Sequence, residues 1–172
     1  CADNGIDYYR IHHAVTLDYP RMKHLPAAGF AAGPCLFKDT VQLAAFCDNA
    51  FSLGQSAVLV NEGMPKQLMN QLRAHGLADK TVGLLGVAFK GDSDDVRDSL
   101  AFKMKRLLEL EAKAVLCTDE FVSNDWLLPL DDVLARADLL VIGAPHTRYK
   151  TLAPTQPTLD PWNLLSRGGL LT

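Results

Sequence analysis

The sequence predicts an α/β chain, with a helical segment over residues 1–77 and a three-layer domain on a parallel sheet over residues 78–172. Three observations predict it. The first half lacks β-branched alternation and reads as helical around one Gly/Ala/Pro loop. The second half alternates short apolar runs with amphipathic segments, the pattern of βαβ units with right-handed crossovers. The 172 residues are 48% apolar and 22% charged, which suits a folded chain and excludes a disordered or collagen-like one. A chain of this length buries roughly 70% of its unfolded surface, so it needs no disulfide or metal staple.

Taken in order, Tyr8, Ile11, His12 and Val15 share one helical face, and Pro20 and Pro26 are expected to end that element. The stretch from Leu25 to Lys38 is too rich in small residues and proline for a helix. Asp39 or Thr40 is the expected cap of the next helix, which carries Val41, Ala44, Ala45 and Asp48 along one side. Gly54 reads as an interruption, and Ser56 to Leu72 as a further helix kinked or broken at Pro65. Thr81 to Val87 reads as a buried strand, and Arg97 to Glu111 as a helix with Leu100, Met104, Leu107 and Leu108 on one face. Ala114 to Cys117 is a second strand, Leu130 to Arg136 a short helix and Leu139 to Gly143 a third strand. Trp162 to Leu165 and Gly169 to Leu171 are expected to add one helix and one strand. The whole is a Rossmann-like arrangement preceded by helices.

Composition narrows the function classes. Seventeen Lys and Arg against twenty Asp and Glu leave a net charge of −3, which argues against nonspecific nucleic-acid binding. The four cysteines, at 1, 35, 47 and 117, show no CxxC spacing and read as reduced thiols of a cytoplasmic protein. Five histidines, at 12, 13, 24, 75 and 146, form no ligand pattern, so no metal site is expected. The longest apolar runs, near Leu139 to Ala144 and Ala57 to Val60, fall far short of the ~18 residues that cross a bilayer. No signal peptide is expected, because Asp3, Asp7 and Asp18 punctuate a start that has no apolar core. The opening Cys-Ala-Asp, with no Met, predicts a chain cut from inside a larger protein.

Two segments carry the chemistry. The turn after the first strand, GLLGVAFKGDSDDVRDS, spaces Gly83, Gly86 and Gly91 as GxxGxxxxG, neither a dinucleotide fingerprint nor a phosphate loop. On spacing alone it reads as a strand-to-helix turn whose aspartates cap the helix. Lys90 and Arg97 bracket the turn at the carboxyl edge of a parallel sheet, where such folds bind ligands. An anion there requires the two cations to point inward and Asp92, Asp94 and Asp95 outward. Asp119, ending the second strand, is placed like the ribose-binding acid of dinucleotide folds. The second segment surrounds Cys35, beside Gly33 and Pro34 and just before a helix whose dipole lowers a thiol pKa. Lys38 adds positive charge and Asp39 a carboxylate. A lone cysteine otherwise reads as a small hydrophobe, and so do Cys47 and Cys117. His24 and His146 read as surface or capping histidines.

Taken together, the two segments are more specific. Gly33-Pro-Cys-Leu-Phe-Lys-Asp39 resembles the GG-S/P-C-x-P-K-D catalytic-cysteine motif of the UDP-glucose/GDP-mannose dehydrogenase family. Phe89-Lys-Gly-Asp-Ser-Asp-Asp-Val-Arg-Asp-Ser99 resembles that family's FKxxTxDxRxS signature. Asp18-Tyr-Pro-Arg21, the Asn61 helix, Ala137-Asp138 and Ala144-Pro-His146 follow the same order. The resemblance implies oxidation of the C6 hydroxyl of a sugar nucleotide, a UDP-sugar, to a carboxylate with NAD. It implies Cys35 as nucleophile, through a thiohemiacetal and a thioester, with Asp39 activating the hydrolytic water. Lys38 and Arg97 would touch the cofactor. Gly29, Phe30, Gly33, Phe89 and Lys90 would hold the substrate. Residues 1–77 would be part of a central, dimerising helical domain and 78–172 the UDP-binding domain, in a chain that pairs as a homodimer. Phe37 stands where the family has proline, and Ala31-Ala32 replaces part of its glycine run. The family's N-terminal NAD domain has no counterpart here, so the chain alone is expected to be inactive. Two other readings stand beside this one: a non-catalytic nucleotide-binding and dimerisation module, and an unrelated cysteine hydrolase using Cys35 with His24.

Overall fold

The computed structural model describes residue 1 and residues 4–172. Helices α1 (Tyr8–Thr16), α2 (Pro34–Phe46) and α3 (Ser52–Arg73) precede a β1 (Thr81–Leu85), α4 (Leu100–Glu111), β2 (Ala114–Thr118), α5 (Leu130–Arg136), β3 (Leu139–Ile142), β4 (Thr158–Leu159) succession. The strands form one parallel sheet in the order β2-β1-β3-β4. The chain leaves β1 for β2 on one side and crosses back to β3 on the other. That reversal puts the switch point of the sheet at the carboxyl ends of β1 and β3.

Side chains alternate across β1 as strand geometry requires. Val82 and Leu84 enter a core shared with Leu68, Met69 and Leu72 of α3 and Leu100, Met104 and Leu108 of α4. Leu85 enters the opposite core with Leu130, Val133 and Ala137 from α5 and its end, Leu140 and Tyr149. The result is three layers, α3 and α4 on one face and α5 on the other. The carboxyl half of α3 therefore packs into the same core as the sheet. No helix among the described residues is long and apolar enough to cross a membrane.

Several expected boundaries move. Helix α1 stops at Thr16, ahead of Pro20, with Asp7 capping its start through the Tyr9 amide. Helix α2 begins at Pro34 rather than after Asp39 or Thr40, because proline at the first helical position has no amide hydrogen bond to lose. Cys35 consequently sits inside its first turn. The break before α3 falls at Asp48 and Asn49, both left-handed with φ of 50° and 61°, and not at Gly54. Pro65 lies within α3, which runs through it because Leu68, Met69 and Leu72 are anchored in the core. Ser99 starts α4 at Leu100 by accepting from the Ala101 amide, later than the expected Arg97.

Toward the end, Trp162 to Leu165 form a turn, not a helix, because buried Asp160 accepts from the Trp162 and Leu165 amides. The short β4 pairs with β3 where no strand was expected, and only Leu171 of the Gly169–Leu171 stretch bridges to it, antiparallel.

Gly83 lets α5 lie directly on the sheet. A Cβ there would stand 2.7 Å from Val133, 2.8 Å from Leu140 and 3.0 Å from Ala137. Gly83→Ala is expected to destabilise the chain by about 1–3 kcal/mol through overpacking, read as a lower urea midpoint at unchanged slope.

Candidate functional site

The site is built where the loop after β1 meets the loop after β3. Gly86, with φ of 84°, abuts Ala144, and Gly143 lies against the Gly86 carbonyl, so no side chain fits at either position. Gly91 packs on the Pro145 carbonyl in the same way. These glycines serve loop-on-loop packing. Their open sides are filled by the chain's own atoms, and α4 begins only at Leu100, so the edge does not fit a dinucleotide pyrophosphate seated on a glycine turn and helix end.

Asp119, at the end of β2, organises this edge. Its Oδ2 accepts from the Val87 amide at 2.7 Å, the Ala88 amide at 3.2 Å and the His146 ring at 3.0 Å. Its Oδ1 accepts from the Phe121 and Val122 amides at 2.9 and 3.2 Å. Burial favours the protonated acid, but hydrogen bonds from His146, Val87 and Phe121 outweigh it and bring the carboxyl down to about 2. Every lone pair of this carboxylate faces its own protein, so the placement expected for a ribose-binding acid is corrected. His146, expected at the surface or as a cap, is fully buried, and its backbone stands at the N-cap of the short helix Thr147–Thr151.

Two of the remaining acids, Asp92 and Asp95, are engaged by the protein's own loops, whereas Asp94 is exposed, as an anion site was expected to need. Asp92, left-handed with φ of 52°, accepts from the Thr147 amide and hydroxyl at 2.8 and 2.6 Å. Asp95 accepts from Arg97 through both backbone and guanidinium, which brings its carboxyl down to about 2. The Arg97 guanidinium is held charged chiefly by its side-chain hydrogen bonds to Asp95 and then by the charge of that carboxylate. Lys90 is exposed, with its ammonium 5.4 Å from the Phe89 ring centroid.

The cysteine loop docks onto this edge. Gly33, with φ of 113°, lies so close to the Phe89 ring that a Cβ would stand 2.9 Å from it. Gly29 is covered by the Trp162 ring, which also meets Phe30 edge-on at 5.6 Å. The Asn61 side chain of α3 clamps the loop by accepting from the Ala31 amide at 3.1 Å and donating to the Ala31 carbonyl. A cavity of about 200 Å³ opens between loop and helix, lined by Gly33, Leu36, Phe37, Thr40, Asn61 and Asp98 among others. Cys35 is exposed, and Lys38 and Asp39 pair with each other at 3.2 Å on the open surface of α2. Thus Gly33 and Phe89 come into contact, with Cys35 two residues further on, whereas Gly29 is covered by protein.

Sequence reasoning passed over Asn61 as a side chain, Trp162, and the link from Asp119 to His146. A histidine and an aspartate just past strands that flank β1 were the available signal for that link.

Residues 83–167 match the UDP-glucose/GDP-mannose dehydrogenase family, UDP binding domain. The chain is 31% identical over 151 residues to UDP-N-acetyl-D-mannosamine dehydrogenase of Pyrococcus horikoshii, covering 83% of this chain and 36% of that protein. It is 30% identical over 166 residues to a UDP-glucose 6-dehydrogenase of Haloferax volcanii, covering 88% of this chain and 39% of that one. Among solved structures, the Pyrococcus horikoshii UDP-D-ManNAc dehydrogenase superposes with a TM-score of 0.82 at 26% identity, over 98% of this chain and 43% of that one. The chain spans well under half the length of the relatives it matches.

An unfolded aspartate titrates near its ordinary 3.8, and Asp119 near 2. Its stabilisation is therefore full above that ordinary value and is lost as pH falls through the folded one, an effect of roughly 2 kcal/mol. Asp119→Asn turns an amide toward amide donors and is expected to lower Tm by about 5–15 °C at neutral pH, with a shallower further loss toward pH 2, in calorimetric scans.

Proposed function

The chain belongs to the UDP-glucose/GDP-mannose dehydrogenase family, and from that premise we propose that it is the nucleotide-sugar-binding and thiol-bearing part of an NAD-dependent UDP-sugar 6-dehydrogenase. The observation that carries this reading is the docking of Gly33, two residues before Cys35, against Phe89 of the β1 loop. One motif thereby presents a thiol and the other a cation, Lys90, beside a single junction. The Cys35 thiol is the proposed nucleophile, carrying C6 of the sugar first as a thiohemiacetal and then as a thioester. Asp39 is the proposed base for the water that releases the carboxylate, with Lys38, its ion-pair partner, at the cofactor side. Lys90 would neutralise the diphosphate, Phe89 and Gly33 would shape the wall with Phe30 and Gly29 supporting it from behind under Trp162, and Arg97 would face the cofactor. NAD supplies the hydride acceptor, and the tightly packed glycines after β1 favour its being held outside this sheet edge.

Residues 1–77 read as part of a central helical domain and 78–172 as the nucleotide domain, although α3 joins their cores. The exposed apolar residues Leu36, Val41 and Phe46 of α2 and Leu53, Leu59 and Val60 of α3 support pairing with a second copy. The free, exposed thiols of Cys35 and Cys47 support a cytoplasmic location.

Thermal shift of the chain with UDP, UDP-glucose, GDP and NAD tests the reading. A ligand at 100-fold its Kd stabilises the folded state by about 2.7 kcal/mol, or roughly 5–10 °C for this size. UDP and UDP-glucose are expected to produce that shift, and Lys90→Ala to reduce it. Silence with both uridine ligands overturns the proposal.

A further inference from the structure

One buried side chain at the sheet edge has no part in the chemistry proposed above. His146 is enclosed between the rings of Phe121 and Tyr149, with centroids 4.9 and 5.3 Å away. Both of its ring nitrogens are engaged. Nδ1 lies 2.9 Å from the Asp92 backbone nitrogen, and Nε2 lies 3.0 Å from Asp119 Oδ2. A backbone amide is a donor only, so Nδ1 must be the bare acceptor and Nε2 must carry the proton that Asp119 accepts. The partners on either side thus select one neutral tautomer.

The loop from Val87 to Asp92 is pinned at both ends to the same carboxylate. At its start, the Val87 and Ala88 amides donate to Asp119 directly. At its far end, the Asp92 amide reaches Asp119 through the imidazole. Phe89 and Lys90 lie between the two pins. The Asp92 carboxylate meanwhile holds Thr147, next to His146 in the chain, which keeps the ring and its acceptor in register with the loop. A role as acid or base is closed to a ring with no exposed surface and no free nitrogen. A role as filler would ask only for its volume.

We propose that His146 is a positioning residue for the nucleotide-sugar site: as its Nε2–H tautomer it joins the Asp92 amide to the Asp119 carboxylate and so sets where Lys90 stands. The proposal rests on the reading that Lys90 holds the sugar nucleotide.

The test uses the chain itself, with UDP-glucose as probe, and two replacements that separate hydrogen bonding from volume. In the wild type, nitrogen NMR of labelled histidine is expected to show a protonated Nε2 and a bare Nδ1 at position 146, with the Asp92 amide protected from hydrogen exchange. His146→Phe fills the space without an acceptor. It is expected to lose the Asp92 protection and to weaken UDP-glucose roughly tenfold in calorimetric titration below its Tm, the effect of a loop competent about one tenth of the time. His146→Asn places an acceptor near Nδ1 but no donor at Asp119, and is expected to restore the protection and part of the affinity. Equal affinity in wild type and His146→Phe overturns the proposal, as does equal weakening in both variants. A proton on Nδ1 in the wild type overturns it without any variant, which covers a His146→Phe that does not fold. No binding of UDP-glucose by the wild type overturns the nucleotide reading itself, a result distinct from binding that ignores position 146.

Discussion

A single buried carboxylate holds the working edge of this sheet together. Asp119 leaves β2 with no access to water and receives donors from its own turn, from the loop after β1 and, through His146, from the loop after β3. Burying a charge this deeply is unfavourable unless every lone pair is met. Here each is met by a group from a segment that would otherwise be free to move. The same hydrogen bonds that make the charge tolerable also close three loops around one point, at the sheet's switch point. Removing the carboxylate would strand the donors, so the edge behaves as one unit.

Glycines set how near those loops come. Gly86, Gly91 and Gly143 each lie against backbone atoms of the neighbouring loop. The glycine spacing that departs from a dinucleotide fingerprint is thus explained by contact between loops. In the cysteine segment, Gly33 lies against the ring of Phe89. A family motif can therefore be read twice, as the chemistry proposed for Cys35 and Lys90 and as close packing for the glycines beside them.

Much of this was legible in the residues. Apolar runs marked β1, β2 and β3, and α5 spans the stretch its spacing predicts, because local pattern and burial agree there. Pattern failed where distant contacts decide. Pro65 reads as a breaker but is carried by core residues one turn on. Trp162 to Leu165 read as helix until Asp160 takes their amides, and β4 is only two residues long. At the site, Cys35, Lys90 and Arg97 stand out by type and spacing. His146 does not, because its partners Asp119 and Asp92 are 27 and 54 positions away in the chain and neither separation has a periodicity.

Helix α3 has one end in each business of the molecule. Near its middle Asn61 grips the loop that carries Cys35, and further along Leu68 and Leu72 are set in the core under β1. A helix turns about 100° and rises 1.5 Å per residue. One residue inserted between Asn61 and Leu68 would swing the grip a quarter-turn around the shaft relative to the floor beneath the sheet. Length variation among descendants of this sequence should therefore gather in the surface loops, such as that before α2 or that after Thr151, and be purged from this eight-residue stretch of axle.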